Sequence, residues 1–329
     1  MRITRRRKRG AALLAVLWLS AALAAIALSV AAAVRSETER AANSTDAARG
    51  YFLAAGAIER ALLYIEWAPL DTGPDRRSRY YNSDTPRLNF DFPDGVATVD
   101  IISESSKLDV NGATPDELYR LGEALGADPE RAREISLAIA DWRTAAPPGA
   151  PPSVFDDYYL GLAPSFRGRH ASFQEIEELL LVKGMTPELF YGTYERDASG
   201  RLVPRPGFRD CLTVYGTGML DVNFAEPAAL AAVGVPPETI SAILDFRRHD
   251  FFRTREQLAG IAQGVPGFER LTIGGGPAFT FRAVAHVKRP DGSISPDACG
   301  AAALLKFPTS PRAAERYAIL RWYDNAWVQ

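Results

Sequence analysis

Residues 108–118 read LDVNGATPDEL, and residues 220–230 read LDVNFAEPAAL. The first copy carries a helix start: Thr114 is an N-cap, Pro115 takes the first helical position and Glu117 completes a capping box. A second helix opens at Asp128-Pro129 and runs through Ile135, Leu137 and Ile139 to Trp142. A proline-rich break, TAAPPGAPPSVFDDYY, interrupts the copy, and the pattern resumes in SFQEIEELLLVKGMTPELF. There Ser172 and Glu175 are spaced as a capping box, Gly184 ends the helix, and Thr186-Pro187 starts the next. The second copy keeps this order in fewer residues, as GVPPETISAILDFRR and FFRTREQLAGI, where Thr254 and Gln257 fit another capping box. DWR (141–143) corresponds to DFR (245–247). What recurs is helix starts and apolar positions, so the repeat reads as a duplicated packing unit of short helices. The copies differ mainly by the insert around 144–171.

On both sides of this helical stretch the pattern changes to strands. GVATVDIISES, from Gly95, places Ala97, Val99 and Ile101 on one side and Val96, Thr98 and Asp100 on the other, a strand with one buried face. Past Gly274, AFTFRAVAHVKR alternates, PDGS makes a turn, and ALLKF and RYAILRWYDN read as further antiparallel strands. The layout is α+β: a long N-terminal helix with an antiparallel sheet, interrupted by a large all-helical insert.

The N-terminal sixty residues form a separate signal. Arg2, Arg5, Arg6, Arg7, Lys8 and Arg9 precede Gly10, and no charge follows until Arg35. The apolar run Ala11–Val34 is long enough, at about 1.5 Å per residue, to cross a bilayer core of about 30 Å. The basic flank sets the N-terminus in the cytoplasm and the body on the other side. No proline interrupts the chain from there to Trp67, and Tyr51, Phe52, Ala55, Ile58, Leu62 and Ile65 recur at helical steps. One helix is expected, half in the membrane and half amphipathic. A plain signal peptide has a shorter apolar core and a small-residue cleavage site.

The formal charge of −2 hides an asymmetry: without the six basic residues at the start, 32 Lys and Arg face 40 Asp and Glu, a balance of −8. An acidic body is poorly suited to phosphate backbones. The 47% apolar and 24% charged composition is that of a globular protein. Cys211 and Cys299 are compatible with one disulfide outside the cytoplasm, or with two buried free thiols. His170, His249 and His286 lack metal-ligand spacing, and GGGP (274–277) lacks the Lys-Ser/Thr of a phosphate loop, so no enzyme is indicated. Tyr158, Tyr159 and the C-terminal WYDNAW read as aromatic core or as a contact patch.

A basic leader ending at Gly10 before an Ala-rich spine resembles the type IV pilin and pseudopilin class. By that resemblance a prepilin peptidase cuts between Gly10 and Ala11. The spine position that usually carries Glu is Ala15 here. Within the class, its absence is a mark of the protein K family of the type II secretion system. DDYYLGLAPSFRGRHASFQEIEELLLVKGMTPELF (156–190) is similar to that family's helical signature. The resemblance implies a pilin-like domain with an inserted helix-hairpin-helix/SAM-like helical domain. Its divisions are a leader 1–10, a transmembrane spine 11–34, the rest of the spine and first strands 35–105, the insert 106–273 and final strands 274–329. It implies a minor pseudopilin at the tip of a periplasmic pseudopilus, starting its assembly with I-, J- and H-type minor pseudopilins. Such a protein sits in the inner membrane by a single pass, with its body in the periplasm and with no nucleic-acid partner. The sequence itself calls for no cofactor; the resemblance adds calcium, for which Asp156 and Asp157 are the candidate ligands, against the reading of a solvated acidic loop.

The other resemblance is to membrane-anchored helix-hairpin-helix DNA receptors of natural competence, through LDVNGATPDEL and the helix ending in DWR. Those modules hold phosphate with a Gly-apolar-Gly hairpin. In GADPER (126–131) and GVPPET (234–239) the second glycine is replaced by Asp128 and Pro236, one repelling phosphate and the other lacking an N–H.

Overall fold

The computed structural model describes residues 9–74, 77–147, 149, 151–308 and 316–324. Helix α1 spans Arg9–Trp67, about 88 Å at 1.5 Å per residue, and ends where Pro69 enters a short 3-10 turn. Strands β1 (Arg87–Phe92) and β2 (Gly95–Ser103) form a hairpin. The chain then leaves the sheet through β3 (Leu108–Asp109), α2 (Pro115–Ala124), α3 (Pro129–Arg143) and α4 (Val154–Leu160). It continues with α5 (Pro187–Tyr191), a hairpin of β4 (Thr193–Arg196) and β5 (Leu202–Arg205), α6 (Phe208–Cys211) and β6 (Leu212–Thr213). Next come β7 (Leu220–Asp221), α7 (Pro227–Ala232), α8 (Pro237–Arg247), α9 (Arg255–Ala262) and β8 (Leu271–Thr272). Finally β9 (Ala278–Lys288), β10 (Ile294–Lys306) and β11 (Ala318–Tyr323) complete the sheet.

Among the described residues that sheet is five-stranded and antiparallel, in the order β1-β2-β9-β10-β11. One face carries Ala97, Val99, Ile101, Phe281, Ala283, Ala285, Ala301, Ala303 and Leu305 against α1. The matching face of α1 is Ala54, Ala57, Ile58, Ala61 and Leu62. Alanine on both sides lets helix and sheet approach closely: a Cβ added at Gly50 would lie 2.4 Å from Cys299 Sγ. Larger side chains fill the remaining space, and burying one such as Ile58 stabilises by about 1.5–3 kcal/mol. The expected stripe is therefore corrected in part. Ile58 and Leu62 face inward, but Phe52 is 70% exposed, and alanines do most of the packing.

A second core lies in the segment between β2 and β9, around Leu118, Leu121, Ile135, Ile139, Trp142, Tyr159, Phe190, Leu230, Ile243 and Phe252. The helix starts at Thr114, Thr186 and Thr254 form as expected, each hydroxyl accepting a backbone N–H of the first turn. The capping box at Ser172 and Glu175 does not form. Glu178 accepts the N–H groups of Gln174 and Glu175, and the helix expected there is a 3-10 stretch, Ile176–Leu181. The segment is not helical throughout, because it carries the β4–β5 hairpin and two short parallel pairings. Those pairings close each copy: β3 joins β6 and β7 joins β8, so the Leu-Asp that opens a copy lies beside the Leu-Thr that ends it.

The sheet and the insert meet at Glu104, 4% exposed. Its carboxylate accepts from Thr213 of β6 and Thr280 of β9 and pairs with Lys107. Burial alone would raise its pKa, but Lys107 and the two hydroxyls outweigh it and hold the group below the usual carboxylate range.

Candidate assembly surface

Helix α1 has two unlike parts. From Leu13 to Val34 its large apolar side chains stand free of the rest of the protein, with Leu13, Val16, Trp18 and Leu28 among the most exposed. This is a helix long and apolar enough to cross a membrane. Ala15 sits on that exposed stretch, with no carboxylate at its position. Gly10 and Ala11 lie in the first turn of α1, while the leader residues 1–8 lie outside the described residues. Past Ala48 the helix turns one side to the sheet and the other outward. The outward side presents Phe52, Leu63 and Trp67, at 70, 43 and 39% exposure, with Gly56 open between them. These positions follow steps of four, seven and four, so they share one stripe.

The repeated phrase has a structural purpose that each residue reveals. Asp109 and Asp221 accept the N–H of the Asn two residues on. Asn111 then clasps Phe173 through two hydrogen bonds of 3.0 and 2.7 Å, and Asn223 clasps Phe252 through two of 2.9 Å. Arg143 donates to the carbonyls of Val110 and Ala113, and Arg247 to those of Val222 and Ala225. The side chains of LDVN and of the helix-ending arginine are thus spent on holding the unit closed. In the turn before α3, Gly126 adopts a φ of +85°, and Asp128 accepts the Arg131 N–H. Pro236 stands at the N-cap of α8. One helix start is occupied by a carboxylate, and at the other Pro236 and Pro237 carry no N–H of their own.

The calcium candidates are corrected. Asp156 caps α4, and its oxygens take the N–H groups of Ser153 and Gly168 and the ring of His170 at 2.8 Å. Asp157 is exposed beside it. Among the described residues no three His, Cys, Asp or Glu side chains gather to hold a metal. With its oxygens already engaged, Asp156 does not fit a calcium site. The candidate disulfide is corrected too. Cys211 is a free thiol in the core of the insert, where burial pushes its pKa well up, and Cys299 is a free thiol on β10 near the Ala47 carbonyl. Cys211 belongs to the insert and Cys299 to the sheet.

The other candidates resolve into structure. His249 and His286 each face a backbone carbonyl, of Asp245 and Ser295, far from His170. In GGGP, Gly276 donates to Ser105 Oγ, and a Cβ on Gly275 would collide with Ser103, so the glycines form the tight return from insert to sheet. Tyr159 is fully buried and Tyr158 is 41% exposed. Trp322 of β11 donates to Tyr51 Oη of α1, and Tyr51 donates to Asp324; residues 325–327 of WYDNAW lie outside the described residues.

Comparison with known proteins agrees with this arrangement. Residues 100–192 match the family model of type II secretion system protein K. A protein K from Pectobacterium carotovorum subsp. carotovorum is 27% identical over 207 residues, 56% of this chain. That match spans 61% of the relative's length, less than two thirds of it. One from Klebsiella pneumoniae is 25% identical over 247 residues, covering 70% of this chain and 72% of the relative. The fold is similar to a chain in the crystal structure of the GspK-GspI-GspJ complex from the enterotoxigenic Escherichia coli type 2 secretion system. The TM-score is 0.52 and the identity 13%, over 86% of this chain and 98% of the other. In the long helix, the antiparallel sheet and the matched segment 100–192, the chain is similar to the type II secretion system protein K family.

Proposed function

We propose that the chain is a minor pseudopilin of type II secretion, placed at the tip of the periplasmic pseudopilus, where it starts assembly with other minor pseudopilins. The observation that carries this reading is the division of α1. Its N-terminal half is an apolar rod without cover, and such a rod in water needs lipid or other rods around it. Two features favour the tip. Ala15 offers no carboxylate to a neighbouring subunit's N-terminus. The insert also adds bulk to the head, leaving less room for a subunit stacked above. The similar chain was crystallised in complex with GspI and GspJ, which supplies the partner class, I- and J-type pseudopilins. The outward stripe of Phe52, Leu63 and Trp67 is the surface on which they would pack. The reading also includes a single pass through the inner membrane, a cytoplasmic N-terminus and cleavage after Gly10. The protein is not an enzyme in this reading.

Co-expression of the full chain with a prepilin peptidase, followed by intact-mass measurement, tests the class. Loss of residues 1–10 with methylation of Ala11 supports it, and an uncut chain or a cut near residue 34 overturns it. Co-purification with I- and J-type pseudopilins, and its loss in Phe52→Glu, tests the partner surface.

A further inference from the structure

A groove of about 550 Å³ runs between the insert and the face of the sheet turned away from α1. Its floor includes Ile102, Thr280, Ala302 and Leu304, which alternate along their strands with the residues that pack on α1. Tyr191, Tyr194 and Tyr323 line it while remaining 43, 60 and 42% exposed, so these rings stand open and do not form core.

Five cationic side chains line the groove, and three are matched. Lys107 pairs with Glu104, Arg205 with Glu195 and Arg321 with Glu175. The side chains of Arg209 and Arg282 make no hydrogen bond or ion pair among the described residues. Arg209 instead lies over the Tyr191 ring, 5.4 Å from its centroid. Arg282 stands half-buried on β9, where burial first and then the nearby Arg209 disfavour its charge. Asp210, Asp100 and Glu104 act on it from a distance without contact. Of the groove's acids outside the three pairs, Asp210 accepts the Gly207 N–H and Glu226 is pushed up by burial and by Asp210, and neither of them nor Glu177 contacts the two arginines. Two arginines lining one groove, one of them half-buried and neither in contact with a carboxylate among the described residues, are complementary to an anion. The backbone around them favours an extended ligand: among the described residues β11 is an edge of the sheet and the β4–β5 hairpin pairs with no other strand. Tyrosine and arginine are also the residues that concentrate binding energy at protein interfaces.

We propose that this groove docks an extended segment of a partner protein through an acidic side chain, its carboxylate held by Arg209 and Arg282 and its backbone lying along Tyr191, Tyr194 and Tyr323. The proposal stands apart from the assembly reading, because α1 packs on the opposite face of the sheet.

The test uses the full chain in detergent micelles and two pooled hexapeptide libraries, identical except for a fixed central Glu in one and Gln in the other. Retention of the Glu pool over the Gln pool is expected, weakened about tenfold or more by Arg282→Gln or Arg209→Gln and unchanged by Arg248→Gln on the exposed end of α8. Hydrogen exchange on the unmutated chain gives an independent reading, should a variant fold poorly. The Glu pool should protect residues 191–194 and 205–215. Equal retention of both pools, no retention, or no protection of those segments overturns the proposal. Displacement by inorganic phosphate, with no preference among the retained peptides, marks a small-anion site and overturns it as well.

Discussion

The two copies of the repeated unit make the same clasp in different surroundings. Arg143 and Arg247 each bind two carbonyls of the phrase that opened their own copy, and Asn111 and Asn223 each hold a phenylalanine backbone at both N–H and C=O. In the second copy burial pushes Arg247 down to about 10, with Asp221 and Glu226 only partly offsetting it. Arg143 is lowered as well, from the same cause. The first copy, in contrast, carries the 144–171 excursion. Its neck is closed by Ala171 N–H donating to Trp142 O and by His170, which bridges Thr144 O and Asp156. The second copy passes from Arg248 to Arg253 with no such loop. A clasp can be kept through duplication while one copy tightens around it and the other grows.

The largest effect expected from breaking this comparison is at the arginines. Arg247→Met leaves the Val222 and Ala225 carbonyls without donors and costs about 3 kcal/mol; Arg143→Met costs about 2 kcal/mol, being less enclosed. Thermal melts of the full chain in micelles should rank the two in that order. Asn223→Ala and Asn111→Ala come next, each removing two hydrogen bonds for about 2 kcal/mol, and a near-equal pair of shifts would confirm that this part of the clasp is the same in both copies.

Titration separates the copies more finely. His170 is raised above 6.5 by its hydrogen bond to Asp156, with burial opposing, so its contribution is complete below 6.5 and lost as pH rises through the raised value. Burial alone would raise Asp156, but His170, Gly168 and Ser153 outweigh it and hold it below 3.8. Its contribution is therefore present above 3.8 and lost as pH falls through the lowered value. Hydrogen exchange in residues 144–171 should speed up as pH climbs above 6.5 through the raised value, beyond the intrinsic rate increase. His170→Gln should abolish the step and cost about 1 kcal/mol or less. The smallest difference lies at the helix starts. Asp128→Ala removes a side-chain cap and costs about 1 kcal/mol, whereas Pro236→Ala removes none and changes the melt by about 0.5 kcal/mol at most.

Much of the fold was legible because local chemistry declared it. Thr114-Pro115-x-Glu117 marks a helix start wherever it occurs, and the alternation at 95–103 marks a strand with one buried face. The packing of α1 was less legible, since alanine in a helix looks the same whether it faces a sheet or water. The two-residue strands β6 and β8 gave no periodic signal at all. Among the candidate sites, Asp156 looked like a free carboxylate because its consumers, Gly168 and His170, lie 12 and 14 positions away. DWR and DFR correspond on the page, but only the folded unit shows their arginines reaching back to the opening phrase. The groove was invisible, being assembled from strands and loops that meet only in three dimensions.

The insert leaves the sheet at the end of β2 and returns at the start of β9, and these strands are neighbours that meet at Ser103 and Phe279. A load applied to the insert would therefore draw both strands the same way, leaving the ladder between them unstressed. Resistance would come from β1 on one flank, β10 on the other and α1 across the face, all loaded lengthwise. Force on the bulky head would pass as shear into the long helix, and the root of the insert would not be the first part to tear.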